Sequence, residues 1–323
     1  MFLPAAGKFP AALFCRAGGR YNVFMETRRL FFCAALSLAA ASGLRAGELD
    51  AYLSPVDAGT LAALAPVYEL GQAKGNLPGR LSRVGDSISA NGGYFLSEAA
   101  FSKFSAETLG GKAELFRQNF GRRPCAGRPN GPAVAKGTEN GCAAYSGKGL
   151  AWLLAAPEGA AAPVDMELAE YRPAYAVVLI GTNDLGYSGQ SLPPEALAKK
   201  LSAYQANLRE LVRRLTAAGT IPLLTTLPPR TADLYPQLTF VGDKYAALIA
   251  ALNGWLRDFA AENSYPLIDF HGALCRGADP SASLSACGLG GDGVHPGREG
   301  YDLRNRLTML MLYRVSAAGP VLK

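Results

Sequence analysis

Histidine is scarce in this chain of 323 residues, which contains only His271 and His295. The cysteines form no C-x-x-C pair, and neither histidine has the spacing to a second ligand that zinc sites require. The sequence therefore predicts no bound metal. It also offers no motif from which a cofactor would be expected.

Two motifs of common enzyme classes are missing as well, and a third occurs in the wrong context. The absence of G-x-S-x-G excludes the nucleophile turn of the α/β-hydrolases. The absence of G-x-x-x-x-G-K-[ST] excludes a P-loop nucleotide site. Gly288 to Gly293 does match G-x-G-x-x-G, but no strand precedes it and a proline delays the next helix. A dinucleotide site is therefore not expected.

Long hydrophobic runs are also absent, apart from one near the N-terminus that extends from Leu30 to about Leu44. This run is too short and too rich in alanine for a comfortable transmembrane span. Arg28 and Arg29 precede it and small residues follow, which is the order of a secretory signal peptide. We expect residues 25–46 to be that signal peptide and residues 1–24 to be a mis-assigned extension. The alternative is a buried alanine-rich helix.

The positive charge of the chain belongs mostly to this leader. The formal net charge is +6, but residues 1–46 hold six basic residues and one acidic residue. The rest is nearly neutral, so we expect no nucleic-acid partner. We expect a secreted or periplasmic protein with no stable membrane anchor after signal cleavage.

Four cysteines follow the leader, and an even number in an exported chain indicates disulfides. They fall into two local pairs, which favours the bonds Cys125–Cys142 and Cys275–Cys287. The other two pairings stay open from sequence alone.

Short apolar runs alternate with longer amphipathic segments. The runs are Leu81–Val84, Ala176–Ile180, Ile221–Thr226 and Pro266–Phe270. The helical segments are Pro193–Ala218, Gly242–Ala261 and Tyr301–Val315. This alternation predicts an α/β fold: three α/β/α layers of the flavodoxin-like type, with a mostly parallel sheet of about five strands. We expect residues 47–78 to be a lead-in segment and residues 79–318 to form a single domain.

Polar turns follow the predicted strands at the carboxyl edge of the sheet, where ligands bind in such folds. Ser87 in GDS follows the first strand, and Asn183 in GTND follows the second. Ser87 could be a nucleophile or a helix N-cap. Asn183 could donate to an oxyanion or serve as a turn residue. Gly147 in SGKG could bring a backbone N–H to the same point or be an ordinary loop glycine.

A hydrolytic serine needs a base and a group that orients the base. Asp292 and His295 lie three residues apart in DGVHPG, so one turn can supply both. His271 follows the last predicted strand and is the rival base. Its nearest carboxylate, Asp269, is two residues earlier on the same strand face, so we favour a structural or substrate-facing role for His271.

The blocks GDS, SGKG, GTND and DGVH, in this order on this alternation, resemble the SGNH (GDSL-like) hydrolase family, from about Gly79 to the C-terminal helix. The resemblance implies an esterase with Ser87, His295 and Asp292 as catalytic triad. It also implies an oxyanion hole formed by Ser87, Gly147 and Asn183. Gly149 and Gly141 are alternatives to Gly147.

We therefore expect an exported serine esterase acting on an ester-bearing small molecule or glycan, with O-acetyl or short acyl groups preferred. A lipase-type ester hydrolase and a non-catalytic glycan-binding module are the alternatives. Asp184, Tyr187 and Arg230 lie near the predicted carboxyl edge and are candidate substrate-binding residues. A solvated arginine and a loop aromatic are equally good interpretations of Arg230 and Tyr187.

Overall fold

The computed structural model describes residues 46–126, 140–156, 159–184, 193–230, 242–276, 287, 289–290 and 292–316. Most of the predicted signal peptide, the extension before it and Tyr187 lie outside these residues.

The centre of the fold is a parallel sheet of four strands in the order β1-β2-β3-β4. The strands are β1 (Leu77–Gly85), β2 (Pro173–Leu179), β3 (Ile221–Thr225) and β4 (Leu267–Ile268). Every residue of β2 and β3 is buried. Burial on both faces explains why the sequence shows continuous apolar runs rather than alternation.

Helices surround the sheet and confirm the α/β prediction. They are α1 (Ala46–Leu49), α2 (Ala58–Ala73), α3 (Ser87–Ala90), α4 (Glu98–Thr108), α5 (Ala113–Phe116), α6 (Leu150–Leu154), α7 (Pro163–Tyr171), α8 (Pro194–Ala217), α9 (Gly242–Glu262), α10 (Phe270–Cys275) and α11 (Arg298–Ser316). The three long amphipathic segments are α8, α9 and α11, as predicted. Within the described ranges, no helix has the length and apolar character needed to cross a membrane.

The sheet departs from the prediction at its two edges. About five strands were expected, whereas the described residues form four. Beside β1, the segment around Ala144 makes only a single parallel bridge with Gly85. The last predicted strand extended through Phe270, but β4 ends at Ile268. The reason is that the Asp269 side chain accepts a hydrogen bond from the Gly272 N–H (3.1 Å), which starts helix α10.

The segment expected to be a lead-in also contacts the sheet. Leu53 forms an antiparallel bridge with Ile268, and the Ser54 N–H donates to the Leu267 carbonyl (2.9 Å). The backbone at the edge of β4 is therefore paired with this segment.

Both favoured disulfides, Cys125–Cys142 and Cys275–Cys287, are present. A buried carboxylate supports the first. Glu167 accepts a hydrogen bond from the Cys142 N–H (2.7 Å), and its other oxygen contacts the Ser82 hydroxyl and the Arg123 guanidinium. The chain that leads from Cys142 towards Gly147 therefore starts from a fixed point.

Candidate active site

The turn after β1 presents Ser87 at the carboxyl edge of the sheet. Asp86 is the N-cap of helix α3, because its side chain accepts a hydrogen bond from the Ile88 N–H (3.0 Å). The alternative in which Ser87 itself is the N-cap is therefore wrong. Ser87 is the first residue of the helix, and its hydroxyl is left for other contacts.

Gly85 explains why this turn sits so close to the neighbouring strand. A Cβ atom at Gly85 would collide with the carbonyl oxygen of Leu179 and with the side chain of Ser89. Only glycine allows this close approach, so packing against Leu179 and Ser89 requires a glycine at position 85, the first residue of GDS.

His295 lies on the loop before helix α11 and contacts Ser87. Its Nε2 atom is 2.7 Å from Oγ of Ser87, although the two residues are 208 positions apart. Its Nδ1 atom is 2.5 Å from Oδ2 of Asp292. With the Nδ1–H donated to Asp292, Nε2 is free to accept the proton of the serine.

Asp292 is held in place by its own turn. Its Oδ1 atom accepts hydrogen bonds from the N–H groups of His295 (2.8 Å) and Val294 (3.0 Å). Partial burial raises the pKa of Asp292, but these N–H groups and the His295 ring outweigh that effect and lower it below the ordinary value. Asp292 is therefore a carboxylate at neutral pH.

His271, the rival base, has a different environment. Its ring atom Nδ1 lies 3.1 Å from the Leu227 carbonyl oxygen, and its backbone N–H donates to the Thr226 hydroxyl (2.9 Å). Burial lowers the pKa of His271, which favours a neutral ring that donates to Leu227. The histidine in contact with Ser87 is His295.

Asn183 and Asp184 bind consecutive parts of the loop that contains Gly147. The Asn183 side-chain amide donates to the Lys148 carbonyl (3.0 Å), and Oδ1 of Asp184 accepts from the Leu150 N–H (2.9 Å). Burial raises the pKa of Asp184 despite this bond. These two side chains couple the turn after β2 to the Gly147 loop.

Gly147 has the left-handed backbone expected of a glycine position. Its φ is +74°, and a Cβ atom there would meet nothing within 4 Å, so the residue faces open space. At Gly149 a Cβ would lie 2.8 Å from the Asp184 carboxylate, and Gly141 is buried against Arg123 and Glu167. Of the three candidate glycines, Gly147 is the one with open surroundings.

Arg230 lies at the same edge of the sheet. Its guanidinium donates to the carbonyl oxygen of Thr182 (3.3 Å), one residue before Asn183. Its described contact is therefore with the turn that contains Asn183. Tyr187 lies outside the residues that the structure describes.

An open cavity of about 440 Å³ lies beside Ser87 and His295. Its lining residues are Ser87, Asn91, Tyr94, Ser146, Gly290, Asp292, His295, Pro296, Gly297, Arg298 and Tyr301. Most come from the turn of Ser87 and from the loop of His295. Ser87 and His295 can therefore be reached from this cavity.

Two buried charged residues close to Ser87 were not found from the sequence. Asp86 and Arg304 are both completely buried. Burial raises the pKa of Asp86 to about 6, although the Ile88 N–H and Arg304 oppose the change. Burial also lowers the pKa of Arg304 to about 9. The position of Asp86 within GDS was the available signal, whereas Arg304 has no local motif.

The chain resembles several solved structures. A GDSL-like lipase from Bacteroides thetaiotaomicron is 18% identical, with 77% of this chain and 98% of that chain covered and a TM-score of 0.47. A catalytic mutant of an acetylxylan esterase from Geobacillus stearothermophilus is 18% identical, with 72% and 93% covered and a TM-score of 0.44. A lipase/acylhydrolase from Enterococcus faecalis is 16% identical, with 71% and 92% covered and a TM-score of 0.43.

No curated protein sequence matches the chain. The model of the GDSL-like Lipase/Acylhydrolase family, in contrast, matches residues 84–303, which is more than half of the chain. This range contains Ser87, Gly147, Asn183, Asp292 and His295. The protein therefore belongs to the GDSL-like lipase/acylhydrolase family and is a carboxylic ester hydrolase.

Proposed function

We propose that this ester hydrolase is an exported serine esterase that cleaves O-acetyl or other short acyl esters with Ser87 as nucleophile. The observation that carries the proposal is the continuous contact from Oγ of Ser87 through the His295 ring to Asp292, at 2.7 and 2.5 Å. Such a chain is the arrangement that activates a serine.

In the first half of the reaction, Oγ of Ser87 attacks the ester carbonyl carbon and its proton passes to Nε2 of His295. Asp292 stabilises the imidazolium that forms. The carbon–oxygen bond to the alcohol then breaks, and His295 returns the proton to the departing alcohol oxygen. The acyl group remains on Ser87. A water molecule, deprotonated by His295, then releases the acid and restores the serine.

The tetrahedral intermediate carries a negative oxygen that needs donors. We assign this role to the N–H groups of Ser87 and Gly147 and to the side-chain amide of Asn183. Two observations support the assignment. Gly147 faces open space, and the bond from Asn183 to Lys148 places that amide beside the Gly147 loop. We retain Asp184 and Arg230 as candidate substrate contacts, and Tyr187 as a candidate from sequence alone.

Export is supported by the disulfides Cys125–Cys142 and Cys275–Cys287, because such bonds persist in oxidising compartments. The sequence pattern of residues 25–46 points the same way. The ester substrates proposed here are therefore ones found outside the cytoplasm, on small molecules or on glycans.

The test compares p-nitrophenyl esters of acetate, butyrate and octanoate. We expect the acetate to have the highest kcat/KM, and we expect Ser87→Ala and His295→Ala to lower kcat by at least about 10³-fold. His271→Ala is the matched control, with folding checked by its melting temperature, and should keep most of the activity. A preference for octanoate would favour the lipase-type alternative. Full activity in Ser87→Ala would refute the mechanism.

A further inference from the structure

We propose that Asn91, Tyr94, Arg298 and Tyr301 form a subsite for the alcohol part of the substrate and that this alcohol is a sugar ring. The inference rests on the proposed function, since it takes Ser87 and His295 as the reacting pair. It adds the chemical class of the leaving alcohol and the residues that select it.

The position of the cavity identifies it as the leaving-group side. His295 and four further residues of its loop line the cavity together with Ser87, namely Gly290, Asp292, Pro296 and Gly297. The leaving oxygen must take its proton from Nε2 of His295, so the alcohol has to lie on that side of the ester bond. The cavity is therefore where the alcohol is bound before the bond breaks.

Two tyrosines provide a flat surface in this cavity. The rings of Tyr94 and Tyr301 are stacked, with centroids 5.4 Å apart and planes 18° apart. Tyr301 is buried, whereas Tyr94 is 49% exposed, and both line the cavity. The Tyr94 carbonyl accepts a hydrogen bond from the Asn305 side chain (2.8 Å), which fixes the backbone beneath the ring. A rigid aromatic face of this kind binds the C–H face of a ring.

Polar side chains also line the cavity. Asn91 and Arg298 are planar hydrogen-bonding groups beside the tyrosine pair, and Asn91 contacts the Tyr301 hydroxyl at 3.5 Å. Among the described lining residues there is no leucine, isoleucine, valine, methionine or phenylalanine. An acyl chain would need such an apolar wall. A sugar ring instead presents an apolar face and a rim of hydroxyl groups, which matches one tyrosine face with polar groups around it.

Arg298 supports a binding role for another reason. It is the first residue of helix α11 and is exposed. A cation in the first turn is disfavoured by the helix dipole, so helix stability does not account for an arginine there. Its guanidinium can donate to sugar hydroxyl or ring oxygens.

The test compares two polyol acetates, one with a ring and one without. Glucose pentaacetate presents a pyranose ring, whereas triacetin presents the same ester group on an open glycerol chain. We expect Tyr94→Ala to lower the ratio of kcat/KM for glucose pentaacetate to that for triacetin by at least about tenfold. Tyr94→Leu, which keeps bulk without a flat face, should lower it similarly. Tyr94→Phe should keep the wild-type ratio.

Tyr313 provides the matched control for Tyr94. It is a 43% exposed tyrosine on helix α11, and it does not line the cavity. Tyr313→Ala should leave both rates unchanged. Arg298→Ala should lower the ratio as well. A ratio that is unchanged in Tyr94→Ala and Tyr94→Leu, in an enzyme that hydrolyses triacetin, would overturn the sugar subsite. Failure of the wild type on all acetates would instead refute the proposed function.

Discussion

The guanidinium of Arg304 donates a hydrogen bond of 2.8 Å to the carbonyl oxygen of Ile88, across 216 positions of sequence. It also donates to the Ser89 hydroxyl (3.0 Å) and lies 3.5 Å from the centre of the Phe95 ring. Ile88 and Ser89 directly follow Ser87. The helix that begins after the His295 loop therefore reaches back to the short helix that starts at the proposed nucleophile.

Replacing Arg304 should damage both stability and rate. Arg304→Met removes the hydrogen bonds to the Ile88 carbonyl and the Ser89 hydroxyl, and a buried polar group left without its partner costs about 1–3 kcal/mol of unfolding free energy. We expect kcat to fall more than KM changes, since Arg304 touches the turn of Ser87 and not the cavity. Arg304→Lys keeps the charge and should recover part of the loss. Urea denaturation and steady-state kinetics measure the two effects, and a fully stable Arg304→Met would contradict the role assigned to these hydrogen bonds.

Asn183→Ala should lower kcat by about 10²- to 10³-fold with a smaller change in KM, because an oxyanion donor acts mainly in the transition state. The substitution also removes the bond to the Lys148 carbonyl, so the Gly147 loop should loosen. Asn263→Ala is the control. The Asn263 side-chain amide donates a hydrogen bond to the Phe259 carbonyl near the end of helix α9, and Asn263 does not line the cavity. Similar kinetics in the two variants would contradict the oxyanion assignment.

Asp86 should make stability depend on pH between about 4 and 6. Its pKa is raised from 3.8 to about 6 in the folded state. The folded state then holds more protons than the unfolded state in this window, so this group's contribution to stability is lost as pH rises through 6. Asp86→Asn keeps the N-cap bond, because asparagine accepts from the Ile88 N–H equally well.

Relative to wild type, Asp86→Asn should therefore gain stability as pH rises from 4 to 7, by up to about 3 kcal/mol. Urea denaturation at both pH values for both proteins gives this double difference. The opposite contribution from Asp292, whose pKa is lowered, is common to both and cancels. A constant difference across the window would show that Asp86 does not titrate there.

The two disulfides should differ in what they protect. Cys287 and Leu289 pack with Cys275 beside the loop in which the Gly290 N–H donates to the His295 carbonyl (2.8 Å). The double variant Cys275→Ser, Cys287→Ser should therefore lower kcat. The double variant Cys125→Ser, Cys142→Ser removes a disulfide between residues 17 positions apart in sequence. This loss should lower the free energy of unfolding by about 3 kcal/mol. Its kcat should change less, and the reverse order would disprove the distinction.

Much of the fold was predictable, because strands buried on both faces leave continuous apolar runs and long helices leave a clear periodicity. Asp292 and His295 were predictable for a local reason: a three-residue spacing places both in one turn. The end of β4 was missed, because the Asp269 cap competes with the strand pattern. Arg304 and Tyr94 were missed since their partners, Ile88 and Tyr301, lie more than two hundred residues away in sequence.

The bond between Cys125 and Cys142 has a consequence for how this protein can vary. The Cα atoms of the two cysteines are 4.8 Å apart, and the Glu167 carboxylate accepts a hydrogen bond from the Cys142 N–H. Whatever length of chain joins the two cysteines, it leaves and returns at nearly one point. Insertions between these residues, or a fused reporter domain, should therefore be tolerated without disturbing the Gly147 loop.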